Sequence, residues 1–359
     1  MKWLGKALLM LVLSLVYLAI LELAVRWLWP QDSEIVYLAT QPPGQEDPVL
    51  GHVLKADTHY RSRTPEFEAE YRTNSQGLRD AATYAVPKPP GVTRILLLGD
   101  SFTYGAASDY EEIWPVVLEE DLRARGHAIE LVKAGVPAYD TAKEVLLLEQ
   151  IFDRYQPDAV AVTFLPNDLF TNTRIGDQGS GLSGELARDV VRAKRARGVR
   201  MLHTLSLARR LAMGSDLLYT MVYAATARGQ YYAAAPDEEV RDKIAITQEL
   251  LIRGQTYCRD RGADFLVISL PQQFQVLARA AGRELEGLDV DHIDRVFEAF
   301  AEERGMPWIV LLPELAERYA AEGEDLYYRF DGHLTSRGNR VVAELLGEAL
   351  SPLLTGATD

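Results

Sequence analysis

From Arg94 onward, apolar residues fall in short unbroken runs separated by longer stretches with helical spacing. Ile95-Leu96-Leu97-Leu98 ends at Gly99 and reads as a strand buried on both faces. The runs Ile129–Val132, Ala159–Leu165, Asp264–Leu270 and Trp308–Leu312 repeat the pattern. Helices are expected at Glu112–Arg125, with Pro115 suited to a first turn, and at Thr141–Tyr155. Thr141 followed by Glu144 predicts an N-cap and a capping box. Further helices are expected at about Glu239–Arg261, Val290–Arg304 and Ser336–Leu350. Continuous apolar strands alternating with amphipathic helices predict an α/β fold, a parallel sheet covered by helices on both faces. Ligands of such sheets sit beyond the carboxyl ends of the strands.

The first 30 residues follow a different rule. Lys2 and Lys6 precede a run from Ala7 to Leu21 with no charge, and the apolar character continues to Trp29, broken by Glu22 and Arg26. As a helix, Ala7–Val25 is roughly 28 Å long, close to the thickness of a bilayer core. Glu22 and Arg26 stand four apart and can pair on one face. Trp3, Trp27 and Trp29 flank the run as interfacial anchors would. A cleaved signal peptide is the competing reading, but the run is long for one and no small-x-small cleavage site follows it. The expectation is a single-pass anchor with the lysines inside. The rest of the chain then lies outside, which in a bacterium is the periplasmic side of the inner membrane.

Residues 31–93 read as a linker and accessory segment, bracketed by Pro42-Pro43-Gly44 and Pro87-Lys88-Pro89-Pro90-Gly91, with a turn at Asn74-Ser75-Gln76-Gly77. The main domain is expected over 94–355. A helical insertion at about 170–238 contains a Gly/Ser-rich loop, Gly176 to Gly184, and a basic block of Arg188, Arg192, Lys194, Arg195, Arg197, Arg200, Arg209 and Arg210. Two readings stand open for that block: a solvated face of a packed insertion, or a docking surface for anionic lipid headgroups or an acidic polymer.

Composition narrows the class. The chain has 359 residues, 48% hydrophobic and 25% charged, which suits one large core with a smaller accessory region. A net charge of -14 argues against a nucleic-acid partner, which needs a basic surface. The lone cysteine, Cys258, cannot form an intrachain disulfide and reads as a packing residue.

The chemistry gathers where strands end. Gly99-Asp100-Ser101-Phe102-Thr103 follows the first strand and places a serine at a strand-to-helix turn. It is neither a P-loop nor the G-x-S-x-G elbow, since it lacks the Lys-Ser/Thr end and has Thr103 where the second glycine belongs. Ala134-Gly135-Val136-Pro137-Ala138 follows the second strand and Pro166-Asn167-Asp168 the third. The Ser101 N–H, an N–H from Gly135 or Ala138, and the Asn167 amide could form a three-donor oxyanion hole. Asp331-Gly332-His333 stands before the last helix, offering His333 as a base toward Ser101 with Asp331 fixing its tautomer. The plainer readings are a helix cap for Ser101, a turn residue for Asn167, and packing or surface roles for His52, His59, His127, His203 and His292. A metal site at Asp100, Asp168, Asp331 and His333 has no supporting His or Cys motif, and no cofactor is expected.

These four blocks, in this order, resemble the SGNH or GDSL hydrolase superfamily. The resemblance covers roughly residues 94–350 and implies a three-layer flavodoxin-like fold with Ser101, His333 and Asp331 catalytic. Thr73-Asn74-Ser75-Gln76-Gly77-Leu78-Arg79 also looks like a segment that precedes the core in bacterial envelope members. The family's second-block glycine aligns best with Ala138, Pro166 replaces the usual glycine before Asn167, and the last block is D-x-H rather than D-x-x-H. That short spacing resembles the alginate O-acetylation proteins of the superfamily. The implied activity is hydrolysis of O-acyl groups on an envelope carbohydrate or lipid. The alternatives are polysaccharide O-acetyl transfer with the same residues, or a catalytically weak partner of a membrane acyltransferase.

Overall fold

The computed structural model describes residues 2–30, 44–175, 202–323 and 325–355. Its centre is a five-stranded parallel sheet of β5 (Thr93–Gly99), β6 (Ile129–Gly135), β7 (Ala159–Phe164), β8 (Asp264–Ser269) and β9 (Trp308–Val310), in the order β6-β5-β7-β8-β9. The chain steps outward from β5 to β6, then returns past β5 to β7. That reversal opens a crevice at the carboxyl ends of β5 and β7.

Alternate residues of each strand feed two cores. Ile95 and Leu97 pack with Trp114, Leu118, Val342 and Leu346, from the helices Trp114–Ala124 (α3) and Ser336–Thr355 (α12). Leu96 and Leu98 pack on the other face with Leu148, Leu251 and Phe297. Those three come from Thr141–Tyr155 (α4), Glu238–Arg259 (α8) and His292–Arg304 (α10). The result is the three-layer α/β arrangement expected from the alternation. Cys258 lies in the second core, where burial pushes its thiol up to about 12.

Several boundaries differ from the sequence expectation. β6 runs three residues past Val132, through Lys133. Lys133 stays in the strand because its ammonium is matched inside the fold by Glu119 at 2.7 Å and Asp80 at 3.0 Å. β9 stops at Val310, and Leu312–Glu322 (α11) is a helix with Pro313 in its first turn. A helix over Gln273–Ala280 (α9) begins with a capping box made by Gln272 and Gln275, a weaker cue than the Ser/Thr form. The N-cap of α4 is Asp140, which accepts from the Lys143 N–H at 3.2 Å, rather than Thr141. The Thr141 hydroxyl instead donates to Asp168, and both Glu144 carboxyl oxygens are buried without a partner.

At the N-terminus, Lys2–Leu28 (α1) is one helix, and its Gly5–Leu28 stretch is long and apolar enough to cross a membrane. The Glu22–Arg26 pair forms, at 3.1 Å. In the insertion, the described residues form the helices Asp168–Thr171 (α5), His203–Met213 (α6) and Asp216–Ala224 (α7) and a 3-10 turn over Ala227–Tyr232. The Gly176–Gly184 loop and the arginines from 188 to 200 fall outside the described residues.

Two antiparallel hairpins precede the sheet: β1 (Gly44–Asp47) with β2 (Gly51–Leu54), and β3 (His59–Arg63) with β4 (Glu68–Arg72). The turn at Asn74 forms as the sequence predicts, its side chain accepting from the Gln76 and Leu78 N–H groups. Asp80 then reaches under the sheet edge, where Lys133, Tyr84 and Tyr110 all donate to its carboxylate. Burial raises the Asp80 pKa, but Lys133 and the two phenols outweigh it and hold the carboxylate below its ordinary range. Asp80→Ala leaves Lys133 half-compensated in the interior. Breaking a buried pair costs about 3 kcal/mol, so the thermal midpoint should fall by on the order of 5–10 °C, as differential scanning calorimetry would record.

Candidate active site

Asp100 ends β5 and caps the single-turn helix Ser101–Tyr104 (α2), accepting from the Phe102 N–H at 2.8 Å. This cap aims Ser101 out of the strand at the crevice between β5 and β7. The Ser101 hydroxyl lies 2.8 Å from His333 Nε2, and His333 Nδ1 lies 2.5 Å from Asp331 Oδ1. With the ring proton on Nδ1 facing the carboxylate, Nε2 accepts from the serine. A hydroxyl held this way can lose its proton to the ring as it attacks an electrophile.

The short Asp-x-His spacing works because of Gly332. Its φ is +85°, a conformation that costs a side-chain-bearing residue roughly 1–2 kcal/mol. The turn is closed by Gly332 N–H to Tyr328 O and Tyr328 N–H to His333 O, both at 2.8 Å. It folds Asp331 back onto the ring of His333.

Burial alone pulls the His333 pKa down. The hydrogen bond to Asp331, the charge of Asp331 and that of Asp100 outweigh it, and the net shift is above the ordinary 6.5. Beneath the site, burial raises Asp100, and raises Glu144 and Asp168 well above the carboxylate range, each of the last two further raised by its acidic neighbours.

Asn167 begins α5 at the end of β7 and shares a polar chain with the insertion. The Tyr223 and Tyr232 hydroxyls both donate to Gln272 Oε1, at 2.6 and 3.0 Å. Gln272 is thereby oriented to donate from Nε2 to Asn167 Oδ1 at 3.1 Å. This turns the Asn167 NH2 toward Asp100, whose Oδ2 it reaches at 3.4 Å. Gly135 pairs with Gly99 in the sheet, and a Cβ there would come within 2.3 Å of the Tyr104 nitrogen. Its contribution is the close approach of α2 to β6. Ala138 stands further out, in the loop after β6, with φ +65°.

Three residues outside the four chemistry blocks brace these parts, all from the accessory hairpins or the turn after them. His52 bonds Pro137 O at 2.9 Å while Tyr139 donates to His52 O, fixing the Ala138 loop. Arg79, stacked against Tyr71 and Tyr104, donates to Tyr104 O and Ser108 O behind α2. Glu66 accepts from the N–H groups of Phe330 and Asp331, at 2.8 to 3.1 Å, and holds the histidine loop.

A family model for GDSL-like lipases and acylhydrolases matches residues 97–341, more than half of the chain. The chain belongs to that family. An arylesterase of Vibrio mimicus is similar to this GDSL-family chain, 28% identical over 75 residues. The match spans 21% of this chain and 38% of the relative's length. Solved structures that resemble it include TesA, 15% identical at a TM-score of 0.43, covering 73% of this chain and 99% of that one. An acetyl xylan esterase, AlAXEase, is 14% identical at a TM-score of 0.43, covering 72% and 99%.

The Glu66 contacts make a prediction independent of any substrate. Glu66→Ala removes about 2 kcal/mol of charge-assisted hydrogen bonding from the histidine loop. Amide exchange at Phe330 and Asp331 should accelerate roughly 30-fold, which hydrogen-exchange mass spectrometry would detect.

Proposed function

We propose that this chain is a membrane-anchored serine esterase that removes O-acyl groups from an envelope carbohydrate or lipid. The observation that carries the reading is the unbroken relay Ser101–His333–Asp331, at 2.8 and 2.5 Å. Family membership supports ester hydrolysis as the reaction class, and the similar arylesterase supports an ester substrate. Ser101 attacks the acyl carbonyl, and His333 takes the hydroxyl proton and passes it to the leaving alkoxide. Water then enters by the same route and releases the acid.

Negative charge develops on the carbonyl oxygen during attack. Its donors are the Ser101 N–H at the first turn of α2, the Ala138 N–H, and the Asn167 amide. The left-handed backbone of Ala138 supports this role. A strained residue persists where its surroundings fix it, and His52 and Tyr139 supply that restraint. The polar chain through Gln272 supports Asn167 as a donor because it presents nitrogen, not oxygen, toward Asp100, the residue before Ser101.

In this reading the Gly5–Leu28 helix is the anchor, and Lys2 and Lys6 at its amino end favour a catalytic domain outside the cytoplasm. That placement suits a polymer or lipid ester over a soluble metabolite.

A fluorophosphonate probe should label Ser101 alone, read by peptide mapping, and Ser101→Ala should abolish labelling. Against p-nitrophenyl acetate the same variant should lose at least about 10³-fold in kcat/KM; equal rates would reject the reading. Because the His333 pKa lies above 6.5, the ring stays protonated, and unable to act as base, to a higher pH than a free imidazole. The acid limb of the kcat/KM profile should therefore fall above pH 6.5. A limb below that value would contradict the upward pull of Asp331 on the ring.

A further inference from the structure

Among the described residues, part of the insertion's surface is apolar and exposed. On α7, Leu217, Leu218, Met221 and Val222 form one helix face, and Leu205 and Leu211 of α6 are exposed as well; all six are between 43% and 64% exposed. The opposite side of α7 is committed to the core, with Tyr219 and Thr220 buried and Tyr223 stacked on Phe274. An exposed apolar patch of this kind marks a contact surface.

What covers it is indicated by the start of α6. The Glu22 carboxylate, on α1, accepts from the His203 and Thr204 N–H groups and from the Thr204 hydroxyl, each at 2.9 Å. Glu22 lies six residues from the end of Gly5–Leu28, about 9 Å along the helix. The first turn of α6 is thus pinned to α1 about 9 Å short of the outer end of that span. α6 packs against α1.

On this basis, and resting on the reading of α1 as a membrane span, we infer that the outer face of α6 and α7 is seated in the headgroup–acyl boundary of the lipid bilayer. α7 is also tied to both halves of the site. Its Asp216 accepts from Arg329, at 2.6 Å, two residues before Asp331. Its Tyr223 holds Gln272 and through it Asn167. A single helix, ~10 Å thick, therefore separates lipid from the loops that carry His333 and Asn167. The substrate class that fits is an ester presented at the membrane surface.

The test uses the full chain in phosphatidylcholine vesicles, with a fluorescent maleimide on single introduced cysteines. Cys258 is buried with its thiol pushed up to about 12, so it stays unlabelled. Leu218→Cys and Met221→Cys report on α7, Leu13→Cys on α1, and Glu303→Cys on a distant exposed helix end. Lipids with a shallow nitroxide should quench the α7 labels at least ~2-fold, those with a deep nitroxide should quench the Leu13→Cys label, and neither should quench the Glu303→Cys label. Quenching in α1 with α7 labels at the Glu303→Cys level would overturn this inference and leave the span standing. No quenching even in α1 would sink the span and this inference together. A blue shift of the α7 labels in detergent that grows with protein concentration would assign the face to a second copy and overturn it.

Discussion

Closing a loop of 232 residues for one hydrogen bond costs about 5 kcal/mol of chain entropy by polymer scaling, while a neutral hydrogen bond returns about 1. The contact between Ser101 and His333 therefore cannot hold itself together. It exists because the sheet has already brought the end of β5 and the loop before α12 to one rim. Two apolar cores, one on each face of that sheet, supply the free energy. What remains is local aim, and it comes from few groups: the Asp100 cap behind the serine, the Gly332 turn and Glu66 behind the histidine.

Most of the main architecture is legible in the chain because it is written in runs of apolar residues. A strand such as Ile95–Leu98 has only one way to be buried on all sides, and five such runs imply the layers. The blocks at Ser101, Asn167 and His333 are legible because each follows a strand or precedes a helix at the site's end of the sheet. Errors arise where a polar group is satisfied at long range. Lys133 marks an apparent strand end until its partners, 14 and 53 positions away, are known. Thr141 resembles a cap because nothing nearby shows that its hydroxyl bonds Asp168. Leu311-Leu312 reads as strand by hydropathy, though Pro313 begins a helix there.

The braces are the least legible part. Glu66 and His52 sit in hairpins with no apolar alternation strong enough to announce them, Arg79 ends a segment whose resemblance gives it no role, and each acts on backbone atoms. Carbonyls and amides carry no sequence signal, so a side chain that serves them has no matching partner to search for. The orientation of Asn167 depends on the same kind of hidden support. A carboxamide is nearly symmetric in shape, and two phenols on the insertion, acting through Gln272, decide which of its ends faces Asp100.

The stretch matched to the family starts at residue 97, yet Glu66, Arg79 and His52 all lie before it. The stretch matched to the family is thus shorter than the unit that holds the site in shape. A gene trimmed to the homologous boundaries would deliver the reacting groups without their scaffolding.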